Sequence, residues 1–207
     1  FYQHNPVDVN WGPMHWGHAK SRDLLRWESL PIALRPDIRL GMPFSGSAVF
    51  DRDNTSGLFD PQGGLVAIFT SVVADNGDHA QQAQSIAYSR DGGESWHLYE
   101  ENPVIPNSGN ADFRDPKVIW HGQSRSWVMV LAHGDEVLFY RSPNLIDWKL
   151  TGAFGKEAGA HEGVWECPDL LELPVEGAPR SLSRWVLVVG SGDGAPKDRG
   201  GTQYFVG

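Results

Sequence analysis

The sequence predicts an all-β chain folded as an incomplete β-propeller, and three observations predict it. Strand-length apolar runs recur without convincing helical periodicity between them. A turn pattern of Ser, then Asp or Asn, then Trp occurs three times. Each copy is followed, at a nearly constant interval, by a polar cluster that opens a new run.

The runs are SAVF (47–50), LVAIFTSVV (65–73), KVIW (117–120), SWVMVLA (126–132), EVLFYRS (136–142) and RWVLVVGS (184–191). Clusters of Gly, Pro, Asn and Asp punctuate them, as in antiparallel sheets. The turns are SRDLLRW (21–27), SRDGGESW (89–96) and SPNLIDW (142–148). Ser and Asp or Asn side chains bond nearby backbone N–H groups, and Trp starts the returning strand. This assigns Asp23, Asp91 and Asn144 a structural role. The middle copy resembles the Asp-box of many propeller hairpins.

Trp27 precedes Ser45 by 18 residues, Trp96 precedes Asp115 by 19, and Trp148 precedes Glu166 by 18. The spacing makes Ser45, Asp115 and Glu166 equivalent in successive repeats. The last two repeats start 51 residues apart, close to the length of a propeller blade. The expected blades are 1–43 (lacking its first strand), 44–111, 112–163 and one from 164. The extra length of the second falls in polar loops at 51–64 and 74–84. The first strand of a blade lines the central channel, so the three clusters converge at one mouth.

Composition narrows the function. A formal net charge of −9 disfavours nucleic acid and anionic lipid as partners. No apolar stretch approaches membrane-spanning length. One cysteine forms no intramolecular disulfide. Nine Trp among 24 Gly fit a sugar-handling protein, because indole packs on the C–H face of a sugar; they equally fit aromatic packing in a β-protein.

Two carboxylates facing one pocket are the minimum for glycoside hydrolysis. Glu166 suits the acid, since Trp165, Cys167 and Pro168 are expected to desolvate it and raise its pKa. Asp115 suits an ionised role beside Arg114. The alternative is that Arg114–Asp115 caps a turn and Glu166 bridges two blades. Cys167 near His161 reads as a buried small hydrophobe rather than a nucleophile. His15 and His18 lack a third ligand at zinc spacing. DRDNTSGLFD (51–60) is acidic without the Gly and terminal Glu of a calcium loop, and Asn54 heads a glycosylation sequon.

The segments FYQHNP (1–6), WGPMHWGHAKSRDLLRW (11–27), FSGSAVFD (44–51), DFRDPKVIW (112–120) and WECPDLLEL (165–173) resemble, in order, glycoside hydrolase family 32. That family includes invertases, levanases and inulinases, and the resemblance covers essentially the whole chain. It implies a five-bladed propeller followed by a β-sandwich, of which this chain would hold about four blades and no sandwich. It implies retaining release of fructose from non-reducing β-D-fructofuranosyl ends of fructans or sucrose, with no metal or cofactor. Glu166 matches the acid/base, Asp115 the transition-state stabiliser and Arg114 its companion. Gln3, Trp11, Phe44 and Ser45 match fructosyl-subsite residues, as does Trp16.

The family nucleophile is the Asp of an Asn-Asp-Pro-Asn motif upstream of FYQ, and that motif is absent from the 207 residues. The chain therefore reads as part of a longer one, inactive alone. The segments NADFRDPKV and GVWECPDL lean towards levanase or exo-inulinase. An invertase-type sucrose hydrolase and a non-catalytic carbohydrate-binding propeller are the alternatives, with an arabinan-active propeller as a third. Polymeric substrates in this family go with secretion.

Overall fold

The computed structural model describes residues 1–73, 81–107, 109–179, 182–195 and 199–207, and every regular element among them is a β-strand. β1 (Tyr2–His4), β2 (His15–Ser21) and β3 (Trp27–Leu34) form the first sheet. β4 (Met42–Asp51), β5 (Gly64–Val73), β6 (Gln81–Ser89) and β7 (His97–Leu98) form the second. β8 (Phe113–His121), β9 (Ser126–His133), β10 (Glu136–Ser142) and β11 (Lys149–Phe154) form the third. β12 (Trp165–Pro174), β13 (Ser183–Ala195) and β14 (Arg199–Val206) form the fourth. All pair antiparallel in chain order, and β8 packs beside both β4 and β12. Each apolar run of the sequence falls inside one of these strands.

The cores lie between successive sheets, as in a propeller. On β5, Ala67 and Phe69 face the first sheet and pack with Trp16 and Leu34, while Val66 and Ile68 face the third. On β9, Met129 and Leu131 pack towards the second sheet and Val130 towards Trp165, Leu187 and Val189 of the fourth. Strands buried on both faces carry unbroken apolar runs instead of alternation. This is why LVAIFTSVV and SWVMVLA look the way they do.

The three turns share one construction. Asp23 Oδ1 accepts from Leu25 N and Arg26 N at 2.9 and 2.8 Å. Asn144 Oδ1 accepts from Ile146 N and Asp147 N at 3.1 and 2.8 Å. Asp91 accepts from Ser95 N at 3.0 Å and from the Ser95 hydroxyl at 2.6 Å. In each turn the Trp indole donates to the carbonyl three residues back: Trp27 to Leu24, Trp96 to Gly93 and Trp148 to Leu145. Leu24, Gly93 and Leu145 all have positive φ, which turns that carbonyl towards the indole.

The loop from 52 to 63 joins β4 to β5. Buried Asp51 organises it, accepting from the N–H and hydroxyl of both Thr55 and Ser56 at 2.7–2.9 Å. Both carboxylate oxygens are thus bonded within the loop itself. Asn54 exchanges side-chain bonds with the Phe59 backbone at 2.6 and 3.0 Å, so the sequon amide is engaged within the fold. Of the second expected loop, 74–80 lies outside the described residues, and 81–84 belong to β6.

Candidate active site

The inner strands β4, β8 and β12 are each interrupted by a bulge at the same level. Pro43 pairs with Ser71 and Gly46 with Phe69, leaving Phe44 and Ser45 opposite one residue. Arg114 pairs with Ala132 and Lys117 with Val130, leaving Asp115 and Pro116. Glu166 pairs with Gly190 and Asp169 with Val188, leaving Cys167 and Pro168. Asp115 (φ 64°) and Cys167 (φ 49°) are left-handed at the first bulge position, a conformation that non-Gly residues adopt at a cost.

This register corrects the equivalence drawn from spacing. Phe113-Arg114-Asp115-Pro116 superimposes in register on Trp165-Glu166-Cys167-Pro168, so Glu166 corresponds to Arg114 and Asp115 to Cys167. Ser45, for its part, corresponds to Pro116 and Pro168, so the intervals of 18, 19 and 18 concealed an offset of one residue from Ser45 to Asp115 and of two from Ser45 to Glu166. Neighbours on a regular strand point to opposite faces, whereas a bulge re-aims the next side chain. The pairs Phe44/Ser45, Arg114/Asp115 and Glu166/Cys167 therefore all line one cleft of about 380 Å³, with Gln3, Trp11 and Gln82. Of the eight residues singled out for the site, seven lie in it, and Trp16 does not.

Asp115 sits deepest. It is 8% exposed, and its Oδ2 accepts from Cys167 N at 2.9 Å. Burial raises its pKa above the ordinary carboxylate value, against the opposing pull of the Cys167 N–H and the Arg114 charge. Its own N–H donates to Thr70 Oγ1 at 3.0 Å. That hydroxyl donates to Gln84 Oε1 at 2.9 Å, and Gln84 Nε2 donates to Phe113 O at 2.7 Å. Gln82 Oε1 accepts from Phe113 N at 2.8 Å. Fully buried Thr70 and Gln84 thus clamp the bulge of the third sheet from the second.

Arg114 spans the cleft wall, donating from Nη2 to Glu166 Oε1 at 2.9 Å and from Nη1 to Asp112. Burial works against its charge, but the Asp112 and Glu166 carboxylates outweigh burial and hold its pKa above the ordinary value. Glu166 is half exposed. The desolvation expected from its sequence neighbours is not there, because Trp165 turns into the core, completely buried, while Glu166 turns out. The buried acid is Asp115 instead. Cys167 is likewise exposed, contrary to expectation, since the bulge lifts it out of the sheet.

At the rim, Trp11 is 66% exposed and meets Phe44 edge-on at 5.5 Å, and Gln3 Nε2 donates to Pro43 O at 3.3 Å. Trp16 does not line the cleft. It is buried, and its indole donates to Phe44 O at 2.8 Å, so it braces the wall from behind. His15 and His18 each give a ring nitrogen to a backbone carbonyl, of Pro13 and Gly93. Sequence reasoning missed Gln82, Thr70, Gln84 and Asp112. Only Asp112 had a local signal, two residues before Arg114.

The chain is 54% identical to a levanase of Bacillus subtilis over its whole length and spans 30% of that protein. It is 44% identical to the extracellular exo-inulinase inuE of Aspergillus niger, of which it spans 42%. A solved β-fructofuranosidase from Schwanniomyces occidentalis, complexed with fructosyl-erythritol, superimposes with a TM-score of 0.88 at 40% identity. That alignment covers 99% of this chain and 40% of the other, so the chain spans less than half the length of these relatives. The model of the glycosyl hydrolases family 32 N-terminal domain matches residues 1–207, and the chain belongs to that family.

Proposed function

We propose that these residues form the substrate cleft of a retaining β-fructosidase that removes fructose from non-reducing β-D-fructofuranosyl ends of fructans or sucrose. The observation that carries this is the meeting of Asp115 and Glu166 in one cleft, one buried and one half exposed, with Arg114 between them. The levanase and exo-inulinase relatives support a fructan as substrate.

In this reading Gln3, Trp11, Phe44 and Ser45 hold the fructosyl ring. Asp115 gives Oδ2 to the Cys167 N–H and meets ring hydroxyls through Oδ1. Its negative charge then stabilises the oxocarbenium-like transition state. Glu166 is the acid/base: it protonates the departing glycosidic oxygen and then takes a proton from the attacking water. Arg114 donates to Glu166 Oε1 and so fixes the position of that carboxylate at the cleft wall. The covalent step needs an Asn-Asp-Pro-Asn carboxylate, which these 207 residues lack. A protein of this span alone is expected to show little turnover of sucrose, inulin or levan.

The test uses a polypeptide that joins this chain to an Asn-Asp-Pro-Asn strand. Glu166→Gln should slow sucrose hydrolysis by about three orders of magnitude. Fructosyl transfer from a substrate with an activated leaving group should suffer far less, since it needs little protonation. Equal losses on both would reject Glu166 as the acid. A propeller that binds carbohydrate without catalysis is the competing reading. Fructose binding with no turnover in the joined polypeptide would select it.

A further inference from the structure

β4 and β8 have a second end. Five residues beyond Ser45 and Asp115, about 16 Å along each strand, stand Phe50 and Trp120. Between them lies a separate cavity of about 290 Å³, with Arg52 and Asp53 on its wall. Its two walls come from the second and third sheets, which are both four-stranded.

The aromatic wall is open to solvent and braced from behind. Trp120 is 42% exposed and Phe50 51%. Trp120 meets Trp127 edge-on, with ring centroids 5.0 Å apart. Trp127 is 4% exposed, and its indole donates to Thr55 Oγ1 at 2.8 Å, itself fixed by Asp51. The space behind the exposed Trp120 face is thus filled by a buried, hydrogen-bonded indole, which favours a platform formed before any ligand arrives.

The chemistry of the lining selects a ligand class. Exposed indole offers a surface to an apolar C–H face. Arg52 and Asp53, both exposed, add donors and acceptors of opposite charge, while the third charged residue of the lining, buried Asp51, has both carboxylate oxygens bonded to Thr55 and Ser56. That combination fits a neutral polyhydroxyl ring rather than an anion or a cation. The volume lies at the small end of ligand pockets, about 300–1,000 Å³, enough for one or two sugar units.

We propose that this cavity is a second carbohydrate site, at the far end of the inner strands, which holds an internal segment of a fructan. The identity of the sugar rests on the β-fructosidase reading above; the site itself does not. It would retain polymer near the cleft by effective concentration and do nothing for sucrose, which has no further units to reach it.

Native gel electrophoresis of the 207-residue protein through levan and inulin tests this, because binding needs no turnover. The wild-type chain should be retarded by at least one of the two polymers. Trp120→Ala should weaken that retention about tenfold. Trp120→Phe should keep most of it, and Arg52→Ala should lose less than Trp120→Ala. Fructose binding in the Asp115 cleft, followed by calorimetry, should be unchanged in all three.

Retention by the Trp120→Ala chain equal to wild type overturns the proposal. So does retention that vanishes only with Asp115→Asn, which would place all binding in the cleft. Absence of retention in the wild-type chain overturns it as well. Should Trp120→Ala fail to fold, Phe50→Ser and Arg52→Ala decide, and unchanged retention in both is fatal. Retention of levan without fructose release by the joined polypeptide would strike the β-fructosidase reading and leave this site standing.

Discussion

The outer turns and the inner bulges are both repeated three times, yet they treat polar side chains in opposite ways. In the turns, Asp23, Asp91 and Asn144 are answered within four residues by local donors. Asp91 is held well below the ordinary carboxylate pKa, first by the Ser95 hydroxyl and then by its N–H. In the bulges the partners come from other sheets. Cys167 N reaches Asp115 across 52 residues of sequence, and Thr70 reaches it across 45. Burial holds Asp115 above the ordinary value. A carboxylate made comfortable by its neighbours closes a loop, while one kept uncomfortable is available for chemistry.

The contrast separates loss of activity from loss of stability. Among changes that test this contrast, the largest effect is expected for Asp115→Asn in a polypeptide joined to an Asn-Asp-Pro-Asn strand, with kcat falling about a hundred- to thousandfold. The same change should not destabilise the fold. Because the folded-state pKa is raised, the native chain binds that proton more tightly than the unfolded chain, so ionisation costs stability. That cost is absent below about pH 4, grows as pH rises through the folded value, and is complete above it. The Asn variant should therefore melt higher than wild type at pH 7, with the gain fading as pH drops towards 4. A lower melting temperature at pH 7 would show that the buried charge is a structural asset.

Thr70→Val sharpens the boundary between the two classes. It keeps the shape but removes the hydroxyl that receives the Asp115 N–H. We expect kcat to fall about tenfold with KM nearly unchanged, and Thr70→Ser to restore it. A fall in melting temperature alone, with kcat intact, would move Thr70 to the structural class.

The smallest effect belongs to the turns. Asn144→Ala should cost about 1 kcal/mol, or about 2–4 °C in Tm for a protein of this size, with kcat/KM unchanged. A change in kcat/KM would break the division.

Much of this was legible before the structure. Apolar runs buried on both faces announced the strands, and the turn chemistry of Ser21, Ser89 and Ser142 announced the hairpins. Spacing and family resemblance together named Glu166, Asp115, Arg114, Gln3, Trp11, Phe44 and Ser45, which all line the cleft, and Trp16, which lies behind its wall. The bulge was not legible. It adds a residue to one strand without altering composition or apolar pattern, so counting from Trp to polar cluster gave Glu166 and Asp115 the same position. The burial of the two acids was inverted for a related reason. Neighbours in sequence suggested a dry Glu166, but strand alternation sends Trp165 inward and Glu166 outward. Thr70, Gln84 and Gln82 act across sheets and carry no signal near Asp115 in the chain.

The Cys167 bulge also equips the cleft with a built-in chemical reporter. This is the single thiol of the chain, and it stands 3.6 Å from Asp115 Oδ2. Partial burial, followed by the Asp115 charge, pushes its pKa up to about 11. At pH 7 only about one molecule in ten thousand carries the thiolate, and alkylation should accelerate about tenfold per pH unit. A sugar seated against Asp115 would shield the sulfur, so the rate of labelling by a small maleimide reads occupancy of the cleft without any turnover.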